Sequence, residues 1–599
     1  MKYIPWRVKE DLLQGATSYS EAYELSDLPL PSIPEVFENN DNTNSNSNSN
    51  SNNLNQPDLS DDDEEFENET IWDDHEDYWM EAARQGNLNR SNEPDIDIDT
   101  DIQVDVDYWR SSSQGYDIVA GQNFISDLQK LPPPVIQRNN DPSLLNSKQQ
   151  KAFKILIQHL ENPSDPLRLI ISGTAGTGKS FLIDSMISVI EQNGKGVKVT
   201  AFTGVASNNI HGETINSLFQ LSLSNWQPLQ SSKLGSFQAK WQDIHYLIVD
   251  EMSMVSSKLF GIMNERLKQA FPTSTTSFGG MSIILLGDYG QIPPVGGSPL
   301  YTSSSNPDPY ATLGKVGYIS FNKCIILTEV MRQNEDEMIL RDALMRVRNA
   351  STQISDWELF NSRALVNLTP LEKQHFEDAP RLYATKNEVQ QENLNKLKSM
   401  NKPIVTIKAE NSAGADKCSS EDASGLESTI YLCEGARVML TSNLSTKFGL
   451  VNGSLGFVEK IIYSPTALPP SLPLFVLMKV DGYQGPSFNG LIPIPPIVRN
   501  WTKDSKSFSR KQLPLKLGWA LTVHKSQGLT LPKVVVDFGE KEFSPGLTFV
   551  SLSRTKRLAD LALKYEVVYQ RFQNLSNSRY NERVKEEERL ENLEKETIV

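Results

Sequence analysis

The sequence predicts an α/β protein built on parallel sheets, with an acidic, disordered amino-terminal tail and a small β-barrel inserted late in the chain. Three observations carry that reading. Apolar runs at Leu169-Ile170-Ile171, Val197-Lys198-Val199, Tyr246-Leu247-Ile248-Val249 and Ile283-Ile284-Leu285-Leu286 end in small or acidic residues, with room for a helix between them. Buried parallel strands feeding crossover helices have this pattern. A second α/β pattern runs through Leu382-Tyr383-Ala384 and resumes at Val534-Val535-Val536, so 331–433 and 512–565 read as a second domain after a first at 141–330. Between them, over 434–511, β-rich runs such as Arg437-Val438-Met439-Leu440 alternate with Asn-Gly and Pro-rich turns, the mark of a small barrel.

Charge divides the chain unevenly. Residues 1–140 hold 8 Lys+Arg against 30 Asp+Glu, a net of −22, while the remaining 50 basic and 45 acidic residues give +5. An acidic appendage on a mildly basic body fits a nucleic-acid binder. The tail contains an Asn/Ser tract at 39–55, an acidic block at 61–69 and the alternation Asp95-Ile96-Asp97-Ile98-Asp99. The Asn/Ser tract has too little apolar surface to offset the entropy of ordering, and 1–140 as a whole reads as mostly disordered, with room for short binding segments. The carboxyl-terminal 566–599 is highly charged and reads as a solvated helix. Cys324, Cys418 and Cys433 form no CxxC pair, which argues against a disulfide framework or zinc site and for a reducing, intracellular compartment. No apolar run reaches the length of a membrane span, so no membrane partner is expected.

Order is expected from about Leu145. Asn146 can cap a helix, Gln149 stands three residues on, and Phe153, Ile155, Leu156 and Leu160 supply its apolar face. Gln149 has two compatible readings, a capping-box partner and a hydrogen bond to an adenine edge. After the first strand comes Gly173-Thr174-Ala175-Gly176-Thr177-Gly178-Lys179-Ser180, a complete phosphate-binding loop. Its glycines let backbone N–H groups converge on a β-phosphate, Lys179 neutralises the β/γ charge, and Ser180 ligates Mg²⁺. The cofactors expected are therefore ATP and Mg²⁺. Asp250-Glu251 closes the next motif-bearing strand, with Asp250 as a second Mg²⁺ ligand and Glu251 polarising the attacking water. Gly287-Asp288-Tyr289-Gly290-Gln291 follows a further strand, and the Gln291 amide can bond both γ-phosphate and water. Thr203-Gly204, His211, Asn452 in the 449–456 loop, and Thr522, His524 and Lys525 suit sugar–phosphate contacts made without reading sequence.

Together these segments, over about 141–565, resemble a superfamily 1 helicase of the RecD/Pif-one group. The match rests on 145–149, 173–180, Thr203-Gly204-Val205-Ala206, Asp250-Glu251-Met252-Ser253-Met254, 287–295, Arg332, 524–528 and 550–554. Residues 252–271 also resemble a signature segment of the Pif-one branch. The resemblance implies two RecA-like domains with ATP between them and a small β-barrel insert. It implies 5′→3′ movement on single-stranded DNA, unwinding of tailed or structured duplexes, and work in repair, recombination and telomere maintenance. It makes Arg332 and Arg554 the arginines that reach the γ-phosphate from a facing domain, and sets Gly528 with the nucleotide-binding residues. A monomer is expected, in the nucleus or alternatively the mitochondrion. Tyr289-Gly290 stands where two aromatics are common, a departure that could alter substrate contact, and Phe202 stands where proline is common. The competing readings are an ATP-dependent translocase that strips proteins and an inactive scaffold. Intact Lys179, Glu251 and Gln291 argue against the scaffold.

Overall fold

The computed structural model describes residues 115–134, 141–221, 226–302, 308–330, 337–503, 506–576 and 578–598. The Asn/Ser tract, the acidic block and the Asp95–Asp99 alternation lie outside the described residues, as does Arg332. No helix among the described residues is long and apolar enough to cross a membrane.

The first unit is a six-stranded parallel sheet. Its strands are β1 (Arg168–Gly173), β2 (Gly196–Ala201), β3 (Glu213–Thr214), β4 (Ile244–Asp250), β5 (Ser282–Gly287) and β6 (Lys323–Leu327), in the order β3-β2-β4-β5-β1-β6. All four expected apolar runs are strands of this sheet. Successive residues face opposite sides, and both sides are buried. Ile170, Leu247 and Leu285 belong to one core, while Leu169, Ile171, Ile248 and Ile284 belong to the other. That is why these runs are continuously apolar rather than alternating. Helix Ser147–Glu161 starts at the capping box expected for it, with Gln149 N–H on Asn146 Oδ1 and Asn146 N–H on Gln149 Oε1, each at 2.9 Å.

A second parallel sheet follows, of four strands ordered Ala520–Thr522, Arg381–Tyr383, Val534–Asp537 and Leu561–Leu563. Its core takes in Leu344 and Val347 of helix Met338–Arg348 and Phe549 of helix Leu547–Leu552. Between its strands lies the β-rich insert, a five-stranded antiparallel sheet from Arg437–Leu440 to Leu515–Leu517 with two smaller sheets beside it. Strand pairing carries this segment past the expected limits of 434 and 511. Val405–Lys408 pairs with Thr429–Leu432, and Leu515–Leu517 pairs with Arg437–Leu440. Val405, Ile407 and Leu515 share one core. Those runs are too short to be told from second-domain strands before their partners are known.

Two expectations about the chain ends need correction. Within 1–140, Ile118–Lys130 is a helix rather than disordered chain. Its Ile125 and Leu128 enter the core of the insert, and Gln129 Nε2 donates to Leu444 O at 2.7 Å. Lys447 Nζ closes its carboxyl end by donating to Gln129 O and Leu131 O, each at 3.0 Å. The carboxyl-terminal helix, Ser578–Glu596, is not solvated all round. It returns to the first unit and covers the β6 edge. Glu594 Oε1 accepts the Ile326 N–H at 2.8 Å, and Thr597 Oγ1 accepts the Cys324 N–H at 3.0 Å. An open sheet edge is thereby satisfied by side chains. Leu590, 1% exposed, sits in the first-unit core beside Leu593. Leu590→Ala should therefore cost about 2–5 kcal/mol. A denaturant midpoint unmoved by that substitution would mean the helix does not hold this position in solution.

Candidate nucleotide site and interdomain cleft

The phosphate loop follows β1 directly. Gly176 and Gly178 take φ of 89° and 76°, values side chains avoid, and this lets the loop curl tightly before helix Lys179–Gln192. Lys179 Nζ arches back over the loop, donating to Gly173 O at 2.8 Å and Thr174 O at 3.1 Å. Thr177 Oγ1 ties the loop to itself through Thr174 O at 2.9 Å. Ala175 and Ser180 complete the loop. Gln149 is buried against it, with Nε2 donating to Thr177 O at 3.1 Å. Its Oε1 is the capping-box acceptor, so both ends of the amide are engaged, and an adenine contact would require Nε2 to leave the loop carbonyl.

Asp250 ends β4 and is buried. Glu251 follows in the left-handed region at φ 53°, a conformation unusual for a side-chain-bearing residue and one that concentrates at functional sites. Burial raises both carboxyls above their usual range. Glu251 is pushed up to about 7, first by burial and then by the charge of Asp250, while Lys179 and Arg554 pull it back. Asp250 Oδ1, Glu251 Oε2, Asp288 Oδ2 and Gln291 Oε1 are buried oxygens that accept no hydrogen bond within the described protein. Four such acceptors at the ends of neighbouring strands suit a cation, a water or a phosphate rather than a sealed core.

The second domain supplies the opposite wall. An open cleft of about 320 Å³ is lined by Thr174 and Ala175 on one side and by Arg341, Leu344, Met345, Phe549 and Ser553 on the other. Arg554, 2% exposed, is anchored by Nε donating to Val550 O at 2.7 Å and Nη2 donating to Ser553 Oγ at 2.9 Å, and its charge is felt at Glu251. Gly546 packs on the Gln291 loop so closely that a Cβ there would lie 2.5 Å from Gly290 O. Gln527 Nε2 reaches Ser253 Oγ at 3.4 Å, a further link between the domains. Tyr289 stands at the departure from the two-aromatic pattern. It is buried, edge-on to Tyr301 and Tyr318.

The polar loops expected at nucleic acid also gather, through contacts between units. Thr203 caps helix Gly204–Asn209 by accepting from Ala206 N–H at 3.1 Å. A Cβ on Gly204 would lie 2.9 Å from Asn452 O, so the insert loop rests on this helix. Asn452 N–H is held by Asn443 Oδ1 at 2.8 Å. His211 is exposed on the turn after the helix, at φ 52°. Thr522 leads into the one-turn helix Val523–Ser526 that carries His524 and Lys525. Burial, then the charge of Lys386, lowers the His524 pKa. The Lys525 ammonium is lowered to about 7 by desolvation within the groove and then by neighbouring Lys516, although much of the side chain is exposed. Gly528, expected with the nucleotide residues, lies instead against this second group. Its carbonyl accepts from Asn209 Nδ2 at 3.2 Å, and a Cβ on it would be 3.6 Å from Ala206 Cβ. Lys516 and Asn443 were not singled out from sequence, where nothing marks polar residues that meet partners far along the chain.

A phosphate loop at the carboxyl end of one parallel sheet, facing a second such sheet across a cleft, defines a P-loop protein of two RecA-like α/β units. The family model for PIF1-like helicases matches residues 144–356. The chain is 29% identical over 446 residues to the ATP-dependent DNA helicase PIF1 of Danio rerio, covering 73% of this chain and 64% of that protein. The Homo sapiens PIF1 helicase is 28% identical over 456 residues, covering 74% of this chain and 64% of that protein. This chain thus spans just under two thirds of the length of both relatives. The crystal structure of Pif1 helicase from Candida albicans superposes with a TM-score of 0.57 at 27% identity, over 74% of this chain and 99% of that one.

Proposed function

We propose that this chain is an ATP-dependent DNA helicase that moves 5′→3′ along single-stranded DNA and opens tailed or structured duplexes. The observation that supports the reading is that Lys179 and Asp250 of the first domain and Arg554 of the second all act electrostatically on the buried Glu251 carboxyl. In this reading Lys179 and the backbone N–H groups of 173–180 hold the β/γ-phosphates of ATP. Ser180 and Asp250 would hold Mg²⁺, which supplies charge neutralisation at the phosphates when bound. The partnerless buried oxygen of Asp250 fits that donor set. Glu251 takes a proton from the attacking water, Gln291 orients it, and Arg554 stabilises charge on the departing phosphate. Arg332 joins Arg554 on the strength of family resemblance. The loops carrying Thr203, Gly204, His211, Asn452, Thr522, His524 and Lys525 form the track for a DNA backbone, and an intracellular role in repair, recombination and telomere maintenance follows the family. The direct test is ATP hydrolysis with and without single-stranded DNA, followed by strand displacement on 5′-tailed and 3′-tailed duplexes. Stimulated hydrolysis with opening of the 5′-tailed substrate is expected. Hydrolysis indifferent to DNA would sink the motor reading, and preference for the 3′ tail would reverse the direction.

A further inference from the structure

Asp288, fully buried at the end of β5, organises the turn that carries Gln291. Its Oδ1 accepts the Gly290 N–H at 2.8 Å, and its backbone carbonyl accepts the Gln291 N–H at 3.1 Å. The same Oδ1 accepts Arg348 Nη2 at 2.6 Å and Nε at 3.1 Å. Arg348 belongs to the other domain, as the last residue of helix Met338–Arg348, where the helix dipole favours a cation. Its side chain is 10% exposed, and Nη2 also meets Glu587 of the carboxyl-terminal helix. Arg583 of that helix donates to the Arg348 carbonyl at 2.8 Å. Gly290 makes room for the guanidinium, since a Cβ at that position would lie 2.2 Å from Arg348 Nε. One planar cation thus joins three segments far apart in sequence, its Nε and Nη2 converging on a single carboxylate oxygen.

We propose that Arg348 is a positioning residue for Gln291, seating the 288–291 turn against the second domain so that the Gln291 amide is correctly aimed only when the two domains are in register. Burial alone would raise the Asp288 carboxyl, but the Arg348 charge and hydrogen bonds, with help from Lys179, hold it below its usual value. The anion is therefore kept, and with it the grip on the turn. Glu587 fixes the guanidinium from behind and anchors it to a helix already bound to the first unit. The arrangement differs from a plain ion pair because the shared carboxylate also shapes the turn that carries the γ-phosphate sensor.

The inference rests on the ATPase reading above, and a mutant cycle in the full-length protein keeps the two apart. Arg348→Ala should lower DNA-stimulated kcat by about 10–100-fold, the scale of a misaligned catalytic group. The KM for ATP should stay within about threefold, because the phosphate loop is untouched. Combined with Gln291→Ala, it should add almost nothing to the loss caused by Gln291→Ala alone, since both act through one amide. Arg348→Lys should recover part of the rate, and that variant carries the cycle if the alanine variant fails to fold. Multiplicative losses in the double variant, or wild-type kcat for Arg348→Ala, would overturn the role while leaving the ATPase reading intact. A wild-type chain that hydrolyses no ATP would overturn both.

Discussion

Glu251→Gln is expected to bind ATP as the wild type does while DNA-stimulated hydrolysis falls by about 10²–10⁴-fold, the usual contribution of a positioned general base. The substitution keeps shape and volume. It removes only the ability to take a proton, at a residue held in the left-handed region with one buried oxygen free of protein partners. Lys179→Ala should show the opposite pattern, losing nucleotide affinity because the ammonium that neutralises ground-state phosphate charge is gone. Equilibrium binding of a fluorescent ATP analogue beside steady-state turnover separates the two. Turnover of Glu251→Gln at the wild-type rate would remove Glu251 from the chemistry. Nucleotide-free protein offers a control. A carboxyl raised to about 7 on folding leaves the folded chain binding more protons than the unfolded chain between the ordinary glutamate value and about 7. Its contribution therefore makes stability fall as pH rises through that window. The amide should flatten that slope, and a slope unchanged in Glu251→Gln would mean the carboxyl is not raised.

Arg554→Ala should reduce stimulated turnover by about 10³-fold or more, the range over which an arginine from a facing domain acts on a leaving phosphate. Single-stranded DNA affinity should change by no more than a few-fold. Arg554 also donates to Ser526 O and Leu529 O, each at 3.3 Å, and so supports the turn that leads to Gly528. Arg554→Lys is the necessary companion, because it keeps the charge and loses the fork. An intermediate rate for the lysine variant with an unchanged melting temperature identifies a charge acting on phosphate. If both variants lose DNA binding while hydrolysis is normal, the arginine serves the DNA groove instead.

How much of this was legible in sequence follows from where the determinants lie. The phosphate loop, the Asp250-Glu251 pair and the four buried strands are local patterns, each complete within a few residues; the strands form as expected, and the loop and the acid pair fall at the carboxyl ends of theirs. The Asn146–Gln149 capping box was legible for the same reason. Strand β6 was passed over because Lys323-Cys324-Ile325-Ile326-Leu327 carries no motif and closes the sheet by pairing with β1, about 150 residues earlier. The carboxyl-terminal helix was read as solvated because few of its residues are apolar. Its charges are nonetheless matched at long range, with Glu594 on Lys148 at 2.7 Å and Glu586 on Tyr318. Helix Ile118–Lys130 was hidden by the acidic composition around it, although Ile118, Val119, Phe124, Ile125 and Leu128 give it apolar residues. Arg348 carries no signature at all. Its partner Asp288 is 60 residues away, and only the fold brings them together.

The returning helix has a mechanical consequence. A body hung from one flexible tether can turn about any axis, whereas a body held at two separated points keeps one free rotation, about the line joining them. This chain passes from the first unit to the second after Leu327 and passes back after Leu575, which is buried in the second core. The first turn of the returning helix still touches the second domain, with Tyr580 Oη donating to Asn349 O at 2.6 Å, while Leu590 is sunk in the first. A swing about the line joining the two crossings is the motion that this connectivity leaves free.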